Sequence, residues 1–417
     1  MDASIPALTA QAGALAGLRV LDLSRVLAGP WSGQLLADLG ADVVKVERPG
    51  AGDDTRAWGP PWLPDESGSA SSESAYFVSA NRNKRSITVD LSQPEGQRLV
   101  ARLAAQADVL IENFKVGGLA QYGLDHETLK AANPRLIYCS ITGFGQTGPY
   151  ALRPGYDFLM QGMGGLMSLT GRPDGAEGGG PLKVGVALTD VLTGLYATVA
   201  ILAALARRER SGQGQHIDLA LLDVQIASLA NQAASYLVSG QPPQRMGNAH
   251  PNIVPYQDFP TADGHMIVTV GNDGQFARFA ATLGHAEWAS DERFATNPQR
   301  VAHRDLLVGL IRSVTVARTT GDWVDAMEKV GVPCGPINTL DKVFSHPQVQ
   351  SRGMRMEMEH PLSGTVPLVS NPIRLSESPV AYRRAPPTLG QHTEEVLEDW
   401  LAMSRTDMAS LRQRSVV

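Results

Sequence analysis

At 417 residues the chain holds roughly two to three domain lengths, and 43% hydrophobic with 19% charged residues is the composition of a folded globular protein, which excludes wholesale disorder. The balance of 36 lysines and arginines against 42 aspartates and glutamates gives −6; it argues against bulk binding of nucleic acid or of an anionic membrane, while leaving room for one local cationic pocket. Two cysteines, Cys139 and Cys334, are too few for a disulfide framework and lack metal-ligand spacing, so neither a disulfide nor a metal is expected and a reducing compartment is.

The first segment, MDASIPALTAQAGALAG, has no cation before Arg19, so it lacks the charged head of a secretory signal and the arginines of a transit peptide; the cytoplasm is the expected location. LRVLDL (18–23) reads as a strand, WSGQLLADLG as a helix with Gly40 at its left-handed cap, and ADVVKVERPG as a second strand, which together make a β-α-β unit. Residues 51–75, rich in Pro, Gly, Ser and acids with Trp58 and Trp62 embedded, read as a long surface loop and a candidate lid. Alternation resumes with SITVDL (86–91), a helix opened by Pro94 and running to about Ala107, DVLIENF (108–114), a short helix near 125–133 and RLIYCSITGFG (135–145). Strict alternation of strand and helix predicts a doubly wound parallel sheet.

From Asp190 a strong helix follows, with Leu192, Leu195, Val199 and Leu202 on one stripe. Its most apolar stretch, Leu192 to Ala206, is short for a membrane span. HIDLALL and a long helix to about Gly240 come next, then a Pro- and Asn-rich connector (241–262). GHMIVTVG, NDGQFARFAATLG, HRDLLVGLIRS and DWVDAMEKVG form a smaller α/β unit; MRMEMEHPLSGTVPLVSNPIRLS alternates like paired strands, and a final helix begins near Thr393.

The turn after the first strand reads S-R-V-L-A-G-P, so the dinucleotide fingerprint G-x-G-x-x-G is absent; so are a phosphate loop, H-E-x-x-H, G-x-S-x-G and paired C-x-x-C. Dehydrogenase, nucleotide hydrolase and zinc hydrolase readings lose their sequence support. Candidates lie instead at the carboxyl ends of the parallel strands, where ligands sit in such sheets.

Nearly end to end, through GLRVLDLSRVLAGPWSGQLLADLGADVVKVERPGAGDDTR, NRNKRSITVDL, ENFKVGGLAQYGL, NPRLIYCSITGFGQTGPY, TDVLTGLYATVAILAAL and GVPCGPIN, the chain resembles the class III CoA-transferases. GPPW, VGVALTDVLTGLYA, NIVPYQDF and MEMEHPLSG resemble the branch that moves CoA between succinyl-CoA and glutarate or 3-hydroxy-3-methylglutarate. The resemblance implies a Rossmann-like large domain formed by both chain ends, a smaller inserted α/β domain and an interlocked homodimer. Expected bounds are 1–205 for the first part of the large domain, 206–262 for linker and connecting helices, 263–332 for the small domain and 333–417 for the returning part. No resident cofactor is implied, CoA and acyl-CoA being substrates alongside a carboxylic acid, and neither nucleic acid nor membrane is an expected partner.

By resemblance Asp190 is the nucleophile, an aspartate just ahead of a helix, where free N–H groups would keep a carboxylate ionised; without the family pattern it reads as an ordinary N-cap. Val26, Leu27 and Ala28 match positions near the thiol arm of CoA, Arg48 a phosphate cation, and Val89, Asp90, Leu91, Asn113, Phe114 and Lys115 nucleotide-binding positions on two further strand ends. Arg48 and Lys115 read equally as solvated surface charges, and Arg82, Lys84 and Arg85 as either a phosphate cluster or a plain charged run. Gly155, Tyr156 and Asp157 replace the G-H-D of the related 2-methylacyl-CoA racemases; a phenol is a poor base at neutral pH, which favours transfer over racemisation. Asp157 stands at an acidic position near the family nucleophile, or caps the helix DFLMQGMGGLM. Arg25, Arg82 and His250 are the nominees for the distal carboxylate of an acceptor. The glycine-repeat loop of the formyl-CoA branch is missing, only VGNDGQF standing in the small domain, so the cover of the intermediate is not identified by resemblance. A 2-methylacyl-CoA racemase and a non-catalytic acyl-CoA-binding protein are the alternatives to a transferase.

Overall fold

The computed structural model describes residues 13–65 and 67–417; most of the N-terminal segment read for targeting lies outside them. The described chain divides into two compact units, the first built from residues up to Leu166, Val184–Gly240 and Gln348–Val417, the second from Met167–Lys183 and Gln241–Pro347.

The first unit is organised by six parallel strands: β1 (Arg19–Asp22), β2 (Asp42–Glu47), β3 (Lys84–Thr88), β4 (Val109–Glu112), β5 (Ile137–Thr142) and β6 (His216–Ala220). Their spatial order is β3-β2-β1-β4-β5-β6, the doubly wound order in which the winding reverses between β1 and β4. The strands are apolar runs because both sheet faces are covered. One face packs Leu21, Val44, Ile87 and Leu110 under the helix α2 (Pro94–Gln106) and under a C-terminal layer containing Val396, Leu397 and Trp400; the other packs Val20, Val43, Val109 and Ile137 under α1 (Ala28–Asp38) and α4 (Leu188–Ser211). Expected and observed elements coincide along this sheet to within a few residues.

Several expectations change. Residues 216–240, expected as HIDLALL and one long helix within the linker and connecting helices, supply the edge strand β6 and two helices, Leu221–Ala227 and Ala230–Ser239, the break falling at Ala230, whose φ of 46° is left-handed. The apolar stretch from Leu192 belongs to a 24-residue helix, long and apolar enough to cross a membrane, which instead buries Ala197, Ile201 and Ala204 in the core. The segment 51–75 contains a 3-10 turn (Asp54–Ala57) and an antiparallel hairpin of Trp62–Pro64 with Ala70–Ser74. It is anchored from within, since the buried guanidinium of Arg56 forks onto Glu47 at 2.8 Å from two nitrogens, reaches Glu73 at 2.6 Å and lies 3.6 Å over the Phe77 ring. A helix Arg405–Gln413 follows the expected last one at Thr393–Leu401.

In the second unit an antiparallel sheet, ordered Cys334–Pro336, His265–Thr269, Tyr256–Pro260, packs against helices around Phe259, Phe276, Phe279, Leu307, Ile311 and Trp323. Its third strand lies inside the segment expected to be a connector.

Candidate active site

At the point where the winding reverses, the carboxyl ends of β1, β4 and β5 and the first turns of α1 and α4 enclose a cavity of about 160 Å³, all of it within the first unit. Arg25, Val26, Leu27 and Ala28 line it from β1, Asn113, Phe114 and Lys115 from β4, and Gly155, Tyr156 and Asp190 from the segment beyond β5 and from α4. Residues spread over 166 positions of sequence thus share one wall. A neighbouring cavity of about 280 Å³, which shares Arg25, Asp54 and Phe114 with the first, is lined by Arg48, Val89, Asp90 and Leu91.

Backbone contact sets this geometry. Gly143, just past β5, and Gly155 approach so closely that a Cβ built on either would fall 2.7–2.8 Å from the other's Cα, so only glycines allow the 155–157 segment to lie on the strand end. At Gly194 a Cβ would meet the Ala28 carbonyl at 2.7 Å, so α4 can draw its second turn up to the start of α1.

Asp190 is the third residue inside α4, not a residue ahead of it, and it is 7% exposed. The cap comes from another helix. Asp157, first residue of α3 (Asp157–Met163), accepts the Thr189 N–H at 2.8 Å and the Asp190 N–H at 3.3 Å through one oxygen, and the Gln161 amide at 2.7 Å through the other. Gln161 in turn accepts the Val184 N–H at 2.9 Å, while Thr189 donates to Gln225 at 2.6 Å. The carboxylate expected to be held ionised by its helix is instead pushed up to about 7, first by burial and then by the negative charge of Asp157. Tyr76, stacked edge-on against Trp58, is pushed up to about 12 by its burial and by Asp190, Asp157 and Asp53, which puts its phenol within electrostatic reach of the pair.

The turn at Val26 is strained, with a φ of 73° that a β-branched residue rarely adopts. Three contacts hold it. Both carboxylate oxygens of Asp53 accept the Val26 N–H, at 3.2 and 3.3 Å; the Asn113 side chain accepts the Arg25 N–H at 2.9 Å and donates to the Arg25 carbonyl at 2.7 Å; Lys45 donates to the Ser24 carbonyl at 2.8 Å. Lys45 is fully buried and pairs with Asp53 at 2.8 Å. Neither Lys45 nor Asp53 stood out in the sequence, because Asp53 lies 27 residues from the amide it holds.

Other nominees sit elsewhere. Arg82 is buried, forks onto Asp38 and donates to the Val369 carbonyl at 2.9 Å, so its charge is consumed inside the fold and it does not line the cavity. Lys84, fully buried, holds Asp22, the Pro30 carbonyl and Asn81; Arg85 pairs with Asp42, Glu395 and Asp399. This cluster is therefore structural rather than a phosphate site. His250 belongs to the second unit, where it accepts the Asn252 N–H at 3.1 Å and lies beside Tyr256. Arg25 lines both cavities but is paired with Asp54 at 2.9 Å. Arg48 remains, among the described residues, without a carboxylate partner, whereas Asp90 in the same cavity binds Ser92 and Gln93. No cluster of metal-ligating side chains occurs among the described residues.

The doubly wound sheet thus carries a buried carboxylate at its switch point, beside a second cavity lined by Arg48. Residues 15–393 match the family model described as CoA-transferase family III, and the chain belongs to that family. It is 55% identical over 392 residues to a succinate–glutarate CoA-transferase of Agrobacterium fabrum, covering 94% of this chain and 97% of that protein. It is 43% identical over 403 residues to the human succinyl-CoA:glutarate CoA-transferase, covering 97% and 90%. Among solved structures, a CAIB/BAIF family protein from Brucella suis superposes with a TM-score of 0.82 at 52% identity, covering 94% of this chain and all of that one. The chain is thus a CoA-transferase.

Proposed function

We propose that the enzyme moves CoA from succinyl-CoA to a dicarboxylic acid, with glutarate the leading acceptor, through covalent intermediates on Asp190. The observation that carries this reading is the carboxyl group of Asp190, buried at the wall of the cavity, in ion-pair contact with no cation among the described residues, and with a pKa raised to about 7. A carboxylate deprived of solvent is a stronger nucleophile than one in water, and near neutrality a large fraction remains charged. The substrate pair is that of the two relatives named above.

In the first step an Asp190 oxygen attacks the thioester carbonyl and the C–S bond breaks, leaving an aspartyl–succinyl anhydride and CoA thiolate. The thiolate attacks the aspartyl carbonyl and expels succinate, which leaves CoA as a thioester on Asp190. The acceptor carboxylate then displaces the thiolate to form a second anhydride, and the thiolate attacks its acyl carbon, releasing acyl-CoA and the Asp190 carboxylate. No proton is consumed overall, so no base such as the racemase histidine is required where Tyr156 stands. Asp157 holds the first turn of α4 in register for each attack, and the clamp on Val26 does the same for the turn opposite. Following the family pattern, we place the working enzyme in a homodimer.

Incubation with succinyl-CoA followed by intact-mass measurement, hydroxylamine trapping and peptide mapping tests the scheme. A CoA-sized adduct on Asp190 is expected, discharged by glutarate into glutaryl-CoA. An adduct mapped to any other residue, or turnover that survives D190A, would end the nucleophile assignment.

A further inference from the structure

Resting on the reading of a dicarboxylate acceptor, we infer that Arg153 is the residue that receives the substrate's distal carboxylate and makes the enzyme prefer diacids. The wall of the Asp190 cavity presents three cations, Arg25, Lys115 and Arg153. The charge of Arg25 is spent on Asp54 at 2.9 Å. Lys115 stands just past the end of β4, beside Phe114, which lines both cavities. Arg153 lines the same cavity as Asp190, on the segment between β5 and α3, four residues before the Asp157 that holds the Asp190 amide.

The setting of Arg153 is that of a prepared anion receptor. Its guanidinium lies 4.5 Å from the centre of the Tyr150 ring and 5.8 Å from that of Phe144, and the two rings meet edge to face at 5.6 Å. The aromatic pair packs against the exposed guanidinium without using its N–H groups, none of which donates to a described residue. A planar fork with its donors free suits a carboxylate, which it binds through two parallel hydrogen bonds. Charge points the same way, because Asp190 and Asp157 already make the acyl end negative and a diacid adds to it; a monoacid gains nothing from the cation. The free carboxylate of a succinyl donor and that of the acceptor occupy the same place in turn.

The test compares R153L and R153K with the native enzyme on matched pairs: glutarate against pentanoate as acceptor, succinyl-CoA against butyryl-CoA as donor, with free-CoA affinity measured by calorimetry. R153L is expected to cut the preference for the diacid member of each pair by about 10- to 100-fold, and R153K by less, since it keeps the charge and loses the fork. Free-CoA affinity and Asp190 labelling by butyryl-CoA are expected to stay within about twofold of native, which also shows that the variant is folded. A native preference that R153L leaves intact would overturn the role of Arg153 alone. Weaker free-CoA binding with an unchanged preference would reassign the guanidinium to a CoA phosphate. A native enzyme without any diacid preference would overturn the substrate reading itself, and the role of Arg153 with it.

Discussion

Among the buried carboxylates of the first unit, those beneath the β1 turn and that of Asp190 are treated in opposite ways. Beneath the β1 turn, Asp22, Glu47 and Asp53 each face a cation in contact: Lys84 at 2.9 Å, Arg56 at 2.8 Å and Lys45 at 2.8 Å. Burial works against their charge, but the cations outweigh it and hold all three below the ordinary carboxylate range. Glu73, which shares Arg56 with Glu47, is already pushed up by burial. At the cavity, Asp190 makes no ion pair with a described residue, and burial together with the neighbouring Asp157 raises it to about 7. Similar burial with opposite outcomes shows that the fold places its cations on the network that shapes the strained turn and not on Asp190, the proposed nucleophile. An uncompensated buried charge costs stability, and such costs concentrate at functional sites.

The contrast breaks most directly at Asp190. D190N keeps the shape and removes the proposed nucleophile, so single-turnover transfer from succinyl-CoA should fall by at least about a thousandfold; a smaller loss would mean that the uncompensated charge is not the reacting one. At the structural end, K45M leaves Asp53 buried without its partner and should cost about 3–5 kcal/mol in urea unfolding. Because protonation of Asp53 relieves that cost, the deficit should shrink as pH falls toward 4. A deficit no larger than that of a surface substitution would show the pair to be dispensable.

The stability of D190N sharpens the comparison with its sign. A carboxyl group whose pKa is higher folded than unfolded opposes folding progressively as pH rises, here from about 4 to about 7, and fully above that. D190N should therefore be more stable than native by roughly 2–4 kcal/mol at pH 8 and indistinguishable from it near pH 4. Asp53, with its lowered pKa, runs the other way: its contribution is present above pH 4 and lost in acid. Parallel pH profiles for D190N and D53N would dissolve the distinction between the two clusters.

The sheet and its cavity were legible in the sequence because both rest on local signals. Apolar runs of strand length, Pro94 opening a helix and the turns after them locate the strand ends, and a parallel sheet brings its strand ends to one edge. Charge pairing was not legible, since partners are chosen across the fold: Arg82 reads as part of a basic run until Asp38, 44 residues away, is seen to hold it. Composition misled at 51–75, where Pro, Gly and Ser read as coil but Arg56, Glu47 and Glu73 tie a hairpin down. The break at Ala230 carries no Gly or Pro to announce it. The double grip of Asp157 on Thr189 and Asp190 was half-legible, the sequence marking an acidic residue at a helix start without saying that it caps a different helix.

That grip gives the smallest effect and the most exact test. In D157N the remaining carbonyl oxygen can still accept the Thr189 and Asp190 N–H groups, so the turn is held. The new amide, however, meets the Gln161 amide donor-to-donor where an oxygen stood, and Gln161 is already committed through its own oxygen to the Val184 N–H. A cost of about 1 kcal/mol in stability follows. Removing the negative neighbour also removes the lesser of the two causes raising Asp190, while burial, the greater, stays. The acid limb of the rate profile with succinyl-CoA should therefore move down by less than one pH unit, leaving the variant relatively more active below pH 7 than its own plateau would suggest. A limb that does not move would mean that burial alone sets the charge of Asp190, and that Asp157 serves only as the cap.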